Sequence, residues 1–163
     1  MQAENPLWTF SLVVYAEAGV QDECLALQER FALDINLLLL CAYAGVRGVT
    51  LSGNDIAASV GLVAGWHNDI VRPLRAARRA LKSVARDDAA ALRAEVKTAE
   101  LKAEQIEQAM LWDWWQQRPA GAAADPHTAL TANVRRLLEH YRADNTDPAR
   151  AAPNLSRAAL RHA

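Results

Sequence analysis

The run LLLLCAYAGV, Leu37 to Val46, constrains this chain more than any other stretch, because it is apolar on every side. Its ten residues are about half of what a bilayer span needs. A helix with no polar face has to be enclosed by its neighbours instead. The neighbours are helices too. Alternation of β-branched residues never persists, while Ala, Leu, Arg and Glu dominate. A length of 163 residues suits one domain with a real core, and 52% apolar with 23% charged residues suits a soluble globular chain. The expected fold is therefore all-α, a compact bundle of about six or seven helices over residues 1–145. Residues 146–163 follow as a short helix or a frayed tail.

Local signals place the elements. Asn5-Pro6 reads as a cap and first position, opening a helix that runs to about Ala18 and ends at Gly19. A second helix starts near Val20 and carries Cys24, Leu25, Leu27, Gln28 and Phe31. Asp34 caps the apolar third helix. Ser52 or Asn54 caps a fourth, to about Ala64, and Gly65 marks a break or kink. After the linker 118–126, Asp125 and Pro126 start a helix through Leu130, Val134, Leu137, Leu138 and Tyr141, and 143–154 is a further break.

The stretch WHNDIVRPLRAARRALK, Trp66 to Lys82, holds Pro73 at its centre. An interior proline costs about 3 kcal/mol and usually ends a helix. Yet Ile70, Leu74, Ala77, Leu81 and Val84 keep a 4-3-4-3 spacing across it, which predicts one kinked helix over about 66–86. Asp87 or Asp88 caps a longer helix, about 89–117, with a seam of Leu92, Val96, Ala99, Ala103, Ile106, Met110 and Trp114. The two should pair as an antiparallel hairpin.

Charge is uneven along a chain whose net charge is −1. Residues 72–86 hold six basic and no acidic residues. At 100° per residue Arg72, Arg75, Arg79, Lys82 and Arg86 form one stripe, opposite the apolar seam. The plain reading is a solvated face meeting acids such as Glu95, Glu100, Glu104 and Glu107. The sharper reading is a face for a protein partner. Nucleic acid is not expected, for no RNP, zinc-finger or helix-turn-helix pattern accompanies the basic residues. In MLWDWW three tryptophans in four positions cannot all face one neighbour, so either other elements wrap this helix end, or Trp112 and Trp115 form a second candidate partner face, or they line a ligand pocket.

Site chemistry is sparse. His67, Asp69 and Arg72 lack a nucleophile at a suitable spacing, and an Asp69–Arg72 pair one turn apart explains two of them. No HExxH, EF-hand loop, P-loop, GxGxxG or paired Glu-x-x-His is present, so no metal, cofactor or catalytic residue is expected. Cys24 and Cys41 read as buried free thiols, which together with the absence of a secretion signal points to the cytoplasm. Gln28 and Asn36 are polar residues in apolar helices. With Trp66, His67 and Arg72 they form a candidate polar cluster.

The blocks NPLWTFSLVVYAEAGVQDECLALQERFALDINLLLLCAYAG and VRPLRAARRALK resemble a family of bacterial proteins of similar length, a domain of unknown function. The resemblance spans residues 5–115 and gives Trp8, Phe10, Gln28, Asn36, Trp66, Arg72, Pro73 and Arg75 as its signature positions. It implies no activity, cofactor or catalytic residue, and the LWDWW segment and the tail lie outside its pattern. The expectation is a helical interaction or adaptor protein with a protein partner or a second copy of itself, rather than an enzyme. A small-molecule binder or enzyme with a polar pocket between helices is the alternative.

Overall fold

The computed structural model describes residues 4–119, 123–142 and 146–163, and within them the chain is all-helical but for turns and one isolated bridge between Val49 and Ala123. The elements are α1 (Pro6–Tyr15), α2 (Val20–Phe31), α3 (Ile35–Val46), α4 (Gly53–Trp66), α5 (Arg72–Leu81), α6 (Asp87–Gln116), α7 (Pro126–His140), α8 (Pro148–Ala151) and α9 (Pro153–Arg161). Of the two expected linkers, residues 120–122 and 143–145 lie outside the described residues.

Helix α3 is the axis of the bundle. Every residue from Asn36 to Val46 is buried, by α7 along one side and by α1, α2, α6 and α9 around the rest. At Gly45 the helices α3 and α7 nearly touch, since a Cβ there would lie 2.3 Å from the Leu130 Cα. Asn133, fully buried on α7, ties down the loop after α3. Its side chain accepts from the Leu51 N–H (2.7 Å) and donates to the carbonyls of Val49 (2.9 Å) and Cys41 (3.2 Å). The Leu51 N–H and the Val49 carbonyl, which lie outside the helices, gain their partner from this side chain.

The capping signals work as the residues suggest. Asn5 accepts from the Trp8 N–H, Asp34 from Asn36, and Asp125 from Thr128. Ser52 and Asp55 form a reciprocal capping box, which selects Ser52 over Asn54. Gly19 plays a different part from the one expected. Helix α1 ends at Tyr15, and Gly19, at φ 81°, is the residue before α2 rather than the stop of α1. Helix α9 packs one face into the bundle, with Leu155, Ala158 and Ala159 buried and Arg157 and Arg161 exposed. Glu23 supplies its missing cap from 131 residues away, accepting from the Asn154 and Leu155 N–H groups at 3.0 and 2.8 Å.

Neither Gly65 nor Pro73 breaks the fourth helix. Helices α4 and α5 are continuous through a π turn, His67–Val71, in which the Arg72 N–H reaches back five residues to the His67 carbonyl. Proline has no N–H and its ring presses on the carbonyl four residues before it, so a wider turn just ahead of Pro73 relieves both defects. The hairpin with α6 forms, but α5 stops at Leu81, short of the expected Arg86.

The hairpin's inner rows also differ from the apolar seams. On the α5 side Val71, Leu74, Arg75, Arg78 and Leu81 are covered, whereas Ile70, Ala77 and Val84 are exposed. On α6 the inner row is Ala89, Arg93, Val96, Glu100, Ala103, Glu107 and Leu111, and Leu92 and Ala99 face outward. Most of this row lies one residue beyond the expected seam. Neighbouring positions on a helix are only 100° apart, and here ion pairing across the hairpin decides which of two adjacent rows turns inward.

Candidate functional site

The π turn brings His67 over the N-terminus of α3 and against the middle of α6. His67 Nδ1 lies 3.2 Å from Asp34 Oδ2 and 3.3 Å from Glu107 Oε2. The contact with Glu107 is a hydrogen bond; Asp34 Oδ2 has none. Asp34 is held here because its other oxygen caps α3 at Asn36. Asn36, buried, in turn accepts from Gln108 Nε2 at 2.9 Å.

An ion-pair zipper adjoins this cluster. Arg75 donates to Glu100 (3.1 Å) and Glu104 (2.7 Å), and Arg78 bonds both oxygens of Glu100. With the Arg75 side chain only 13% exposed, these pairs lie inside the hairpin and not on its surface. Trp66 closes the row by donating its indole N–H to the Ala103 carbonyl at 3.0 Å.

Electrostatics at the cluster follow from burial. Loss of solvent pushes the Asp34 carboxyl well above the usual carboxylate range, and the adjoining Glu107 carboxyl reinforces this, against the pull of His67 and the Asn36 N–H. Glu107 and Glu104 are also raised, chiefly by burial. Burial holds His67 below its ordinary value, with Arg75 and Arg72 adding to that and Asp34 opposing it, so its ring is neutral at pH 7. Tyr141, whose hydroxyl meets the Asp34 backbone, is pushed up to about 12 by burial.

Two recesses flank the cluster. A cleft of about 650 Å³ is lined by Gln28, His67, Asn68, Arg72, Arg75 and Arg79, among others. A smaller recess of about 120 Å³ on the far side is lined by Trp8, Tyr15, Asp34, Asn36, Glu104 and Gln108 among others. Gln28, His67 and Arg72 therefore converge on one cleft, while Asn36 faces the other recess and Trp66 packs on α6. Arg72 donates to Asn68 Oδ1 at 3.2 Å, where the spacing alone pairs it with Asp69.

The residues singled out as partner faces are spread apart. Arg72, Arg79, Lys82 and Arg86 are exposed, Arg79 pairing with Glu29 and Arg86 with Asp88, but Arg75 is turned inward. Trp112 and Trp115 are half-buried, each ring edge-on to Tyr43 at 5.9 and 5.8 Å. Arg118 covers the outer side of Trp114 and Trp115 while pairing with Asp55.

Asp34 and Glu107 were invisible as site residues. Asp34 reads as a cap and Glu107 as one of a run of surface acids, and the cluster joins three elements far apart in sequence. The usable signal was the row Glu100, Ala103, Glu107, Leu111: acids at the spacing of a buried face, opposite a helix rich in arginine.

Among the described residues no helix is long and apolar enough to cross a membrane. No curated protein and no solved structure matches the chain. A family model described as a protein of unknown function (DUF2390) matches residues 6–111, a span that contains Gln28, Asp34, His67, Arg75, Glu100, Glu104 and Glu107 and stops short of α7 and α9. The match takes in well over half of the 163 residues, and the chain belongs to the DUF2390 family.

Proposed function

We propose that this protein binds a small anionic molecule in the cleft between α2, the π turn and α5. The observation that carries this reading is the convergence of Gln28, His67, Asn68 and Arg72 on one opening of about 650 Å³. Gln28 Oε1 is buried there without a hydrogen-bond partner, and Arg72 has only an amide for company. A ligand carboxylate or phosphate suits Arg72, and a donor group beside it suits Gln28. The test is amide-shift mapping on the whole protein with inorganic phosphate, citrate and ATP as probes. Shifts centred on Gln28, His67, Asn68 and Arg72 that vanish in Arg72→Ala support the cleft. Shifts scattered over exposed basic residues, unaltered by that substitution, overturn it.

A second reading, as an adaptor docking on a protein partner or a second copy, is favoured by the hairpin tip. There Val84 and Leu92 are 44% and 49% exposed beside Lys82 and Arg86. Under this reading a Lys82→Glu, Arg86→Glu chain loses a co-purifying partner or its dimer while its helicity stays intact. A cytoplasmic setting accords with two buried free thiols, Cys24 and Cys41, with burial pushing the Cys24 thiol up to about 12.

A further inference from the structure

Beneath the cleft, His67 meets two carboxyl groups that compete for one nitrogen. A neutral imidazole carries one ring proton, so Nδ1 can donate to Glu107 or to Asp34, not to both. Glu107 has the aligned bond, and Asp34 Oδ2 is left 3.2 Å from the same nitrogen with no hydrogen bond. The Asp34 and Glu107 side chains are 3% and 0% exposed, and buried carboxylate oxygens are ordinarily satisfied. Arg75 acts on Glu107 only from a distance, because its guanidinium bonds Glu100 and Glu104.

The spacing fits one shared ion. Atoms bound to one zinc at ~2.0–2.2 Å and subtending a tetrahedral angle are about 3.3–3.6 Å apart. His67 Nδ1 stands 3.2 and 3.3 Å from the two carboxylate oxygens, and the three donors lie within 4.8 Å of one another. We infer that Asp34, His67 and Glu107 bind one divalent transition-metal ion of the zinc or manganese class. An imidazole nitrogen beside carboxylates favours these over calcium or magnesium, whose ligand sets are all oxygen. With the Asp34 proton displaced by the metal, two carboxylates and one dication sum to zero charge, as a buried site requires. Three protein donors leave a further coordination position for water or another ligand. Gln108 and Asn36 form the adjoining layer that steadies Asp34 and Glu107. This inference stands apart from the cleft reading, since the ion needs no organic ligand.

The experiment is calorimetric titration of the chelator-stripped full chain with ZnCl2 and, separately, MnCl2. One equivalent of at least one metal should bind. Asp34→Asn and Glu107→Gln should each weaken binding by at least about 10-fold with unchanged circular dichroism. Asparagine still caps α3, so Asp34→Asn keeps the fold. His162→Ala removes the exposed His162–Glu17 contact (2.8 Å) and should change nothing. The inference falls if neither metal binds, if both variants bind as the unaltered chain does, or if His162→Ala abolishes binding. None of those results bears on anion shifts at Arg72, which test the cleft by themselves.

Discussion

Gly45 on α3 and Leu130 on α7 meet backbone to backbone, with room for a hydrogen and not for a methyl group. An added Cβ would sit 2.3 Å from the Leu130 Cα and 2.7 Å from its nitrogen. Gly45→Ala therefore has to push α7 away from the buried face of α3, and no flexible side chain can yield instead. Overpacking of this kind costs about 1–3 kcal/mol, and a contact with backbone belongs at the upper end. Chemical denaturation should show that loss, whereas Gly61→Ala, where a Cβ meets nothing within 4 Å, should leave stability equal or slightly higher.

Glu100 serves two arginines, so its removal strands both. Glu100→Ala leaves Arg75 and Arg78 partly buried with one partner between them, Glu104. Breaking a buried pair from one side costs about 3 kcal/mol. Exposed Arg79, paired with exposed Glu29, is the comparison, and Arg79→Ala should cost about 0–1 kcal/mol. Thermal unfolding of the two variants side by side tests the contrast. Equal losses would mean that the hairpin does not depend on its inner charges.

Asp55 gives the fold an acid-sensitive clamp. Burial works to raise its carboxyl, but the Arg118 guanidinium and the Ser52 N–H and hydroxyl outweigh it and hold the group below the ordinary aspartate value of 3.8. The unfolded chain then binds the proton more readily in that window. Its stabilisation is full above the unfolded value and is lost as pH falls through the lower, folded one. Asp55→Asn should cost about 1 kcal/mol at pH 7. The difference in midpoint from the unaltered chain should narrow below pH 4 (roughly the unfolded value). A constant difference down to pH 2, read by urea titration across that range, would remove the clamp.

Glu107→Gln should move stability the other way in the metal-free protein. The substitution keeps the shape and removes an ionisable group from a fully buried position, a relief of roughly 1–2 kcal/mol. A higher midpoint after chelation, measured by differential scanning fluorimetry, is the expected result. A lower midpoint would make the charge of Glu107 part of the fold's support.

The sequence was legible wherever a cause is local. Asn5, Asp34, Ser52 and Asp125 cap their helices because each side chain bonds an N–H two or three residues ahead. The enclosed α3 followed from its composition, and Pro73 announced an irregular turn. What stayed hidden was relational. Which of two adjacent rows on α6 faces inward depends on where Arg75 and Arg78 lie on the partner helix. The Asp34–His67–Glu107 cluster depends on how a turn, a π segment and a helix centre are stacked. No window of neighbouring residues contains that information.

The carboxylate of Glu23 has a consequence in time as well as in space. Its partners are the N–H groups of Asn154 and Leu155, which a ribosome adds 131 and 132 residues after Glu23 itself. Contacts so distant along the chain form late, because the loop between them has to close first. Until α9 arrives, the pocket for Leu155, Ala158 and Ala159 stays open to solvent, so a nascent chain halted before that point carries an exposed apolar face. Ribosome-stalled chains ending before and after α9 should differ sharply in protease resistance.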